Sequence, residues 1–488
     1  MKESGTQASN VAVPISQAMH QATTAYSRGE WAEAERCCRQ ILVARGDHLD
    51  ALHLLGIIAA QTQRAEEAAR LLARVVEASP GQAMAHNNYG NALKELKRFD
   101  AALDSYERAL KIKPDYADAL NNRGNALRGL KRLDEALDSY DRALAVRPDY
   151  AEALYNRGSV LQELKRLDQA LDSYDRALAA RPDYAEALYN RGTVLRELGR
   201  LDEAAACYDR ALAINPGFFG EVGAFERLGS LLYQLGRSEQ ATGVYRRWLE
   251  LEPANPLAQH LYAATSRERV PQRASEQFVS TFFDRFADSF DSTLERLDYA
   301  APQLLHAVVT RRMGHGRGGL SVLDAGCGTG LCAVLLRPTA KFLAGVDLSA
   351  QMLLRARARN LYDELFEGDL CAYMASKPEE FDVVVCADTL VYFGALNQPA
   401  AAARCCIRPN GLFAFTVEAL PEETSTTFRI NAHGRYAHAR GYLCDIMGSS
   451  GFSDVECTSV ILRKEFGNDV KGYLVTGFAR RESVPPPS

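Results

Sequence analysis

No stretch of the sequence is apolar over the length needed to cross a membrane, and Met1 to Ser16 lacks the apolar run of a secretory signal. Net charge is also nearly missing. Lys and Arg number 57 against 62 Asp and Glu, leaving −5, so the chain has no basic footprint for nucleic acid or an anionic membrane surface. The eleven cysteines never fall at metal-binding or redox spacing, appearing as Cys37-Cys38, Cys405-Cys406 and scattered singles. Their odd number and apolar surroundings point to reduced thiols in a cytoplasm, and no metal site is expected. Residues 1–14 and 481–488, the latter ending in three prolines, read as disordered ends. What remains is globular in composition, 47% hydrophobic and 24% charged, and its 488 residues are enough for about three domains.

The most informative run is Val322-Leu-Asp-Ala-Gly-Cys-Gly-Thr-Gly330. Val322 and Leu323 end an apolar segment of the kind that forms a central parallel strand, and Gly326, Gly328 and Gly330 allow a tight turn close to a ligand. A helix from about Leu331 would aim its free N–H groups at that ligand. A second strand, Phe342 to Val346, ends in Asp347, 23 residues after Asp324, where an acid can accept both hydroxyls of a ribose. A third segment ends in Glu367-Gly-Asp369-Leu370, and a fourth, Phe381 to Cys386, leads to Asp388. Acids repeated at strand ends line the ligand-binding edge of a doubly wound sheet and suit a cationic, ribose-bearing cofactor.

These residues resemble the class I S-adenosylmethionine-dependent methyltransferases. The dinucleotide-binding fingerprint lacks the leading acid, and a phosphate-binding turn gains nothing from one. The resemblance implies S-adenosyl-L-methionine as cofactor and an α/β Rossmann-like domain with a mostly parallel seven-stranded sheet. It places Asp324 and the turn Ala325, Gly326, Cys327, Gly328 and Gly330 at the methionine end, Asp347 at the ribose, and Asp369 with Leu370 at the adenine. Leu348, Met352 and Ala387 complete the implied cofactor contacts.

The amino-terminal half is periodic. Pro80, Pro114, Pro148, Pro182 and Pro216 lie 34 residues apart, and the phase runs back to Gly46 and, after an insertion around Phe218 to Glu221, forward to Pro253. Gly56, Gly90, Gly124, Gly158, Gly192 and Gly229 hold one phase, with Ala22 standing there in the first repeat. Ala34, Ala68, Ala102, Ala136, Ala170, Ala204 and Ala241 hold another, and a tyrosine follows four residues later at 106, 140, 174, 208 and 245. Small residues let two helices cross closely, the tyrosine is expected to fill the gap toward the next repeat, and proline stops the second helix. This resembles the tetratricopeptide repeat, seven copies over residues 15–255, implying an all-α superhelix with a concave face.

Asn88, Asn122, Asn156 and Asn190 recur on the first helix of four repeats, with Asn87, Asn91, Asn121 and Asn125 nearby. An amide donates and accepts, so a row of them matches the backbone of an extended chain. The O-linked N-acetylglucosamine transferases are similar in carrying such a ladder, which implies a protein or peptide ligand in the groove. The alternative is that these are consensus surface residues of duplicated repeats. Arg123, Arg157 and Arg191, one residue on, read as solvated ion-pair partners.

Residues 256–318 read as a linker with an aromatic covering helix, and 319–480 as the catalytic domain. Phe278, Phe282, Phe286 and Phe290 fall at steps of four, beside Phe283. A similar stretch precedes the cofactor strand of ubiquinone-type C-methyltransferases and implies a lid; an ordinary docking helix is the alternative. The segment Asn431-Ala-His-Gly-Arg-Tyr-Ala-His438 resembles part of bacterial methyltransferases fused to tetratricopeptide repeats. His438 or His433 could take a proton from an acceptor, and Arg435 with Tyr436 could hold it, although each histidine could equally cap a helix or pack as a polar residue. Tyr392, in Asp388-Thr-Leu-Val-Tyr-Phe-Gly394, lies where this superfamily meets its acceptor. The Asn/Asp-Pro-Pro-Tyr/Phe signature for planar nitrogens is absent there. The expected protein is a cytoplasmic methyltransferase whose repeats recruit a protein or peptide-bearing substrate. A small-molecule methyltransferase tethered by the repeats, or a non-catalytic cofactor-binding scaffold, are the alternatives.

Overall fold

The computed structural model describes residues 14–217, 223–268, 270–314, 318–421, 425–465 and 467–480. The sequence features placed at 1–13, around 218–221 and at 481–488 lie outside them. The chain forms two compact units, divided between residues 219 and 220. No helix among the described residues is long and apolar enough to cross a membrane.

The first unit stacks six helix pairs, from Ile15–Ser27 with Trp31–Ala44 to Ala185–Glu197 with Leu201–Ile214. Each proline acts one residue early. Lys113, Arg147 and Arg181 sit before a proline, whose ring disfavours helical geometry in its predecessor, and adopt φ of −132°, −134° and −140° just past the helix end. The pairs are closed by one recurrent contact. A Cβ on Gly90, Gly124 or Gly158 would stand 2.5, 2.5 or 2.7 Å from Cε1 of Tyr106, Tyr140 or Tyr174. The tyrosine reaches the next repeat, as Tyr106 does in sharing a core cluster with Ala126, but it chiefly fills a gap inside its own repeat. The reason is proximity: ring and glycine lie on the two helices of one hairpin, where only a missing side chain makes room. Each ring is fully buried, and the hydroxyls of Tyr106 and Tyr140 donate to Asn91 Oδ1 at 2.8 Å and Asn125 Oδ1 at 2.7 Å.

The second unit begins with one more pair in the same phase, Ala224–Gln234 and Ser238–Leu251, followed by Pro256–Ser266. Its sheet contains β1 (Leu320–Ala325), β2 (Ala340–Asp347), β3 (Glu364–Glu367), β4 (Phe381–Cys386), β5 (Ile407–Ala419), β6 (Phe428–Ile430), β7 (Tyr436–His438), β8 (Phe452–Glu465) and β9 (Asn468–Ala479). Strands β3-β2-β1-β4-β5 run parallel in that order; β9 lies antiparallel on β5, and β8 antiparallel on β9. Side chains alternate between two cores, as a pleated strand requires. Val383, Val385, Leu412 and Ala414 meet the helix Ala301–Met313 side, whereas Val384, Cys386, Phe413 and Phe415 pack on the other face.

Among the described residues the sheet has nine strands, two more than the seven expected. The extra pair is the hairpin β6–β7, formed by the segment 431–438 expected to meet the acceptor, together with Phe428–Ile430. Strand β7 pairs in parallel with the end of β5, Glu418 opposite Ala437 and Ala419 opposite His438, beyond the reach of β4. The Asn431 and Gly434 N–H groups close its turn on Arg435 O and Asn431 O, each at 2.8 Å, with Gly434 at φ 87°.

Removing a buried ring leaves a cavity that the rigid hairpin cannot close. Tyr140→Ala is expected to lower the unfolding free energy of the array by about 3–5 kcal/mol, measured by urea denaturation followed by circular dichroism.

Candidate functional site

A cavity of about 270 Å³ opens at the carboxyl ends of β1, β2 and β4. Its floor is the glycine turn. The Gly326 and Cys327 N–H groups both donate to Val346 O, at 2.8 and 3.0 Å, tying the turn to β2. Gly326, at φ 79°, could carry no side chain, because a Cβ would lie 2.2 Å from Thr389 Cγ2. Asp347 at the end of β2 accepts from Gly328 N at 2.8 Å and from Ser349 N at 2.9 Å, and it lines the cavity with Leu348. Asp369 caps the helix Leu370–Ala375 through Ala372 N, and its second oxygen meets the Arg273 guanidinium at 2.9 Å. Gly326, Gly328, Asp347, Leu348, Asp369, Leu370 and Ala387 all face this space.

Five other residues expected to touch a ligand stand behind the wall. Ala325 and Met352 are fully buried, Cys327 nearly so, and Gly330 lies against Tyr362. Asp324 accepts from Tyr362 Oη at 2.7 Å with Oδ2, while its Oδ1 is buried without a partner. Burial, and then the neighbouring Asp347 charge, raise Asp324 to about 7 in spite of the Tyr362 bond. Burial raises Asp347 as well. Two desolvated carboxylates with no cation of their own make this end of the cavity a place for positive charge.

The roof is the aromatic segment. Phe282, Phe283, Phe286 and Phe290 line the cavity, and Phe290 Cε1 stands 3.8 Å from where a Gly328 Cβ would be. Phe278, on the same stripe, instead stacks on His260 with ring centroids 3.9 Å apart, so one helix both roofs the cavity and docks. Acids on its solvent side hold it down. Asp284 accepts from Ser349 Oγ at 2.6 Å, Asp288 pairs with Arg355, and Asp291 accepts from Thr329 Oγ1 and Arg359. Beyond the roof, Ala300 N donates to Leu462 O and Lys464 N to Leu297 O, joining the segment to β8.

The methyltransferase-domain family model matches residues 322–411, and tetratricopeptide-repeat models match 20–83 with 155–217, 115–183 and 90–130. The chain carries tetratricopeptide repeats and a methyltransferase domain. It is similar to human methyltransferase-like protein 27, 38% identical over 106 residues that make up 21% of this chain and 43% of that protein. It is also similar to malonyl-[acyl-carrier protein] O-methyltransferase of Pectobacterium atrosepticum, 32% identical over 21% of this chain and 38% of that protein. The chain thus spans less than half the length of both relatives. Among solved structures, it is similar to YrrB, a TPR protein with an unusual peptide-binding site, at 25% identity and a TM-score of 0.33 over 39% of this chain and 96% of that one.

At the far end of the methyltransferase domain's cavity lies a buried ion cluster that sequence reasoning missed. Arg463 on β8 pairs with Asp388 at 2.7 Å, with Glu465 at 2.8 Å and with Glu418 on β5. Arg435 binds Glu418 at 2.6 Å and Glu465 at 2.5 Å. Burial alone would raise Glu418, but Arg435, His433 and Arg463 hold it down to about 2. Asp388 adopts φ 49°, and Thr416 Oγ1 both accepts from its N–H at 2.9 Å and donates to its Oδ1 at 2.6 Å. A readable signal existed: Arg463 and Glu465, two apart on one strand, must share a face.

Arg435 and Tyr392 line the cavity, but the Arg435 guanidinium is already committed to two carboxylates and is not available to hold an acceptor carboxylate. The two histidines are corrected as proton acceptors. His438 is fully buried on β7, its Nε2 at 3.1 Å from Gly394 O, and burial lowers it to about 4. His433 leans on Glu418 at 3.5 Å, and neither histidine faces the cavity. Tyr436 is buried as well, donating to Pro271 O at 2.7 Å. Strand pairing explains His438 and Tyr436, which β7 turns inward against Gly394 and Pro271, while His433 sits in the hairpin turn against Glu418. Among the described residues no group of three or more His, Cys, Asp and Glu could hold a metal ion.

In the repeats, the asparagine ladder is internally bonded. Asn122 Nδ2 donates to Asn87 Oδ1 and Asn156 Nδ2 to Asn121 Oδ1, each at 3.0 Å, while Asn88 meets His53 and Asn190 meets Tyr155 of the preceding repeat. One donor of each amide therefore ties repeats together. Arg123, Arg157 and Arg191 are only 15%, 22% and 20% exposed and clamp the second helix through Ser139, Ser173 and Cys207, so the solvated reading is corrected.

Because the folded Asp324 carboxyl titrates well above its unfolded value, the folded state prefers it protonated. This contribution to stability is full below about pH 4, the ordinary carboxylate range, and is lost as pH rises through about 7. Asp324→Asn is expected to flatten the fall in melting temperature between about pH 4 and pH 7, checked by differential scanning calorimetry across that interval.

Proposed function

We propose that the chain is an S-adenosyl-L-methionine-dependent methyltransferase whose repeats, residues 15–255, recruit a protein or peptide-bearing acceptor to the domain at 319–480. The observation that carries this reading is the convergence of the glycine turn, Asp347 and Asp369 on one aromatic-roofed cavity. The residues fit the cofactor. Gly328, at φ 54°, brings the turn's backbone to the cavity, with only the Phe290 ring within 4 Å of where a Cβ would stand, and Asp324 keeps a buried oxygen without a partner near the methionine end. Asp347 retains lone pairs for two ribose hydroxyls after accepting two backbone N–H groups. Asp369 and Leu370 would take the adenine amine and ring face.

When bound, the cofactor supplies a methyl group already activated on a sulfonium. The protein's own work is then positioning. Phe282, Phe283, Phe286 and Phe290 present ring faces that favour a cation and exclude water, and the acid latches at Asp284, Asp288 and Asp291 hold that roof closed. The relatives' methyltransferase names support the reaction class. For the repeats, each amide of the ladder keeps further hydrogen-bonding capacity after its contact with the preceding repeat, which supports contact with an extended chain.

Calorimetric titration of the full chain with S-adenosyl-L-methionine tests the reading. Binding in the wild type and its loss in Asp347→Ala is the expected result. No heat in either protein would refute cofactor use. With labelled cofactor and cell lysate, an Asn122→Ala/Asn156→Ala variant that still binds cofactor should methylate protein acceptors more slowly; an unchanged rate would remove the ladder from substrate recruitment.

A further inference from the structure

The acceptor end of the cavity has a charge balance that selects among acceptors. Three carboxylates, Asp388, Glu418 and Glu465, meet two guanidiniums, Arg435 and Arg463. His433 adds no charge at neutral pH, since desolvation and Arg435 push it below its usual value. The Arg273–Asp369 pair is neutral, and Lys464 turns outward to Asp298. One negative charge is therefore left over in a buried cluster, and both guanidiniums are already bonded to carboxylates. The cofactor cannot account for that charge. Its sulfonium, ammonium and carboxylate sum to one positive charge at the other end, beside Asp324 and Asp347.

The walls favour the same choice. Phe283 stands edge-on to Tyr392 at a centroid distance of 5.5 Å, presenting aromatic surface beside the cluster. The hydroxyls of Tyr299 and Tyr392 have no hydrogen-bond partner among the described residues, and both residues line the cavity. Asp388 is held in the left-handed region by Thr416, a conformation costly for a residue with a Cβ, and it too lines the cavity.

We propose that the acceptor is a protonated aliphatic amine, drawn in by the unpaired charge of the Asp388–Glu418–Glu465 cluster and held by the Tyr299 and Tyr392 hydroxyls. This rests on the methyltransferase reading above and names its acceptor class. The ammonium gives one proton to the Asp388 carboxylate. The nitrogen lone pair then forms the N–C bond to the methyl carbon, and the C–S pair remains on sulfur as a neutral thioether. The product leaves as a methylated ammonium. An anionic acceptor would meet net negative charge and, among the described lining residues, no cation without a carboxylate partner.

The test uses the full chain saturated with S-adenosylhomocysteine, titrated in a calorimeter with hexylamine, hexanoate and hexanol. Hexylamine is expected to bind on the order of tenfold more tightly than hexanoate, and Glu465→Gln or Asp388→Asn should each cost about the same factor. Asparagine tolerates the left-handed backbone at 388, so that variant is expected to fold. With S-adenosyl-L-methionine, hexylamine should yield N-methylhexylamine by mass spectrometry. Hexanoate binding as well as hexylamine, or hexylamine affinity unmoved in both variants, overturns the amine assignment while leaving cofactor binding intact. Should either variant fail to fold, the wild-type comparison of amine with carboxylate still decides. Failure of S-adenosylhomocysteine itself to bind overturns the methyltransferase reading, and the amine proposal falls with it.

Discussion

One guanidinium organises the ligand-binding end of the second unit. Arg463 reaches Asp388, Glu418 and Glu465, so that residues following β4, on β5 and on β8 are fixed against one another by a single side chain that is 5% exposed. A buried charge is tolerable only when its partners are in place, and removing one partner of such a pair leaves an uncompensated charge costing about 3–5 kcal/mol. Arg435 shares two of these carboxylates, Glu418 and Glu465, and is committed by them. The shape of the far cavity wall follows from this network.

At the opposite end the imbalance runs the other way. Asp324 and Asp347 are buried beside the glycine turn with hydrogen bonds but no cation among the described residues, and burial raises both, Asp324 to about 7. Both ends thus carry more carboxylates than guanidiniums, and the cavity between them is roofed by rings whose faces attract cations. The roof is not loosely attached. Its acids grip the helix after β2, its leading end pairs with the segment after β4, and its trailing end pairs with β8. His260 adds a further tie, stacking on Phe278 while its Nε2 meets Gly434 O at 2.8 Å, one residue before Arg435. The helix Pro256–Ser266 thereby touches both the roof and the hairpin that carries an arginine of the cluster.

Where the sequence could be read and where it could not follows from the range of the forces involved. The ends of β4 fall at Phe381 and Cys386 as its apolar run predicts, and the glycine turn stands between β1 and its helix, because strand burial and backbone freedom are local properties. The histidines misled. A histidine in a polar, glycine-containing segment has the same sequence signature whether it faces a ligand or a strand neighbour, and the β6–β7 hairpin put His438 in the core. The ladder asparagines were legible as a periodic row, yet their bonds to the preceding repeat depend on how the repeats stack.

The sequence by itself determined the repeating helical hairpins and the acids at the strand ends. A missing side chain every 34 residues, a proline that stops a helix and a glycine turn after an apolar strand each act within a few residues of themselves. Tertiary structure alone decided which charges meet. Glu418, Arg435 and Arg463 are separated by 17 and 28 residues in the chain, and nothing in their local sequence sets their distance. Sheet order does so, by laying β9 on one edge of β5 and the hairpin along the other. Electrostatic pairing needs only proximity in space, and in this fold that proximity is created by the order of the strands.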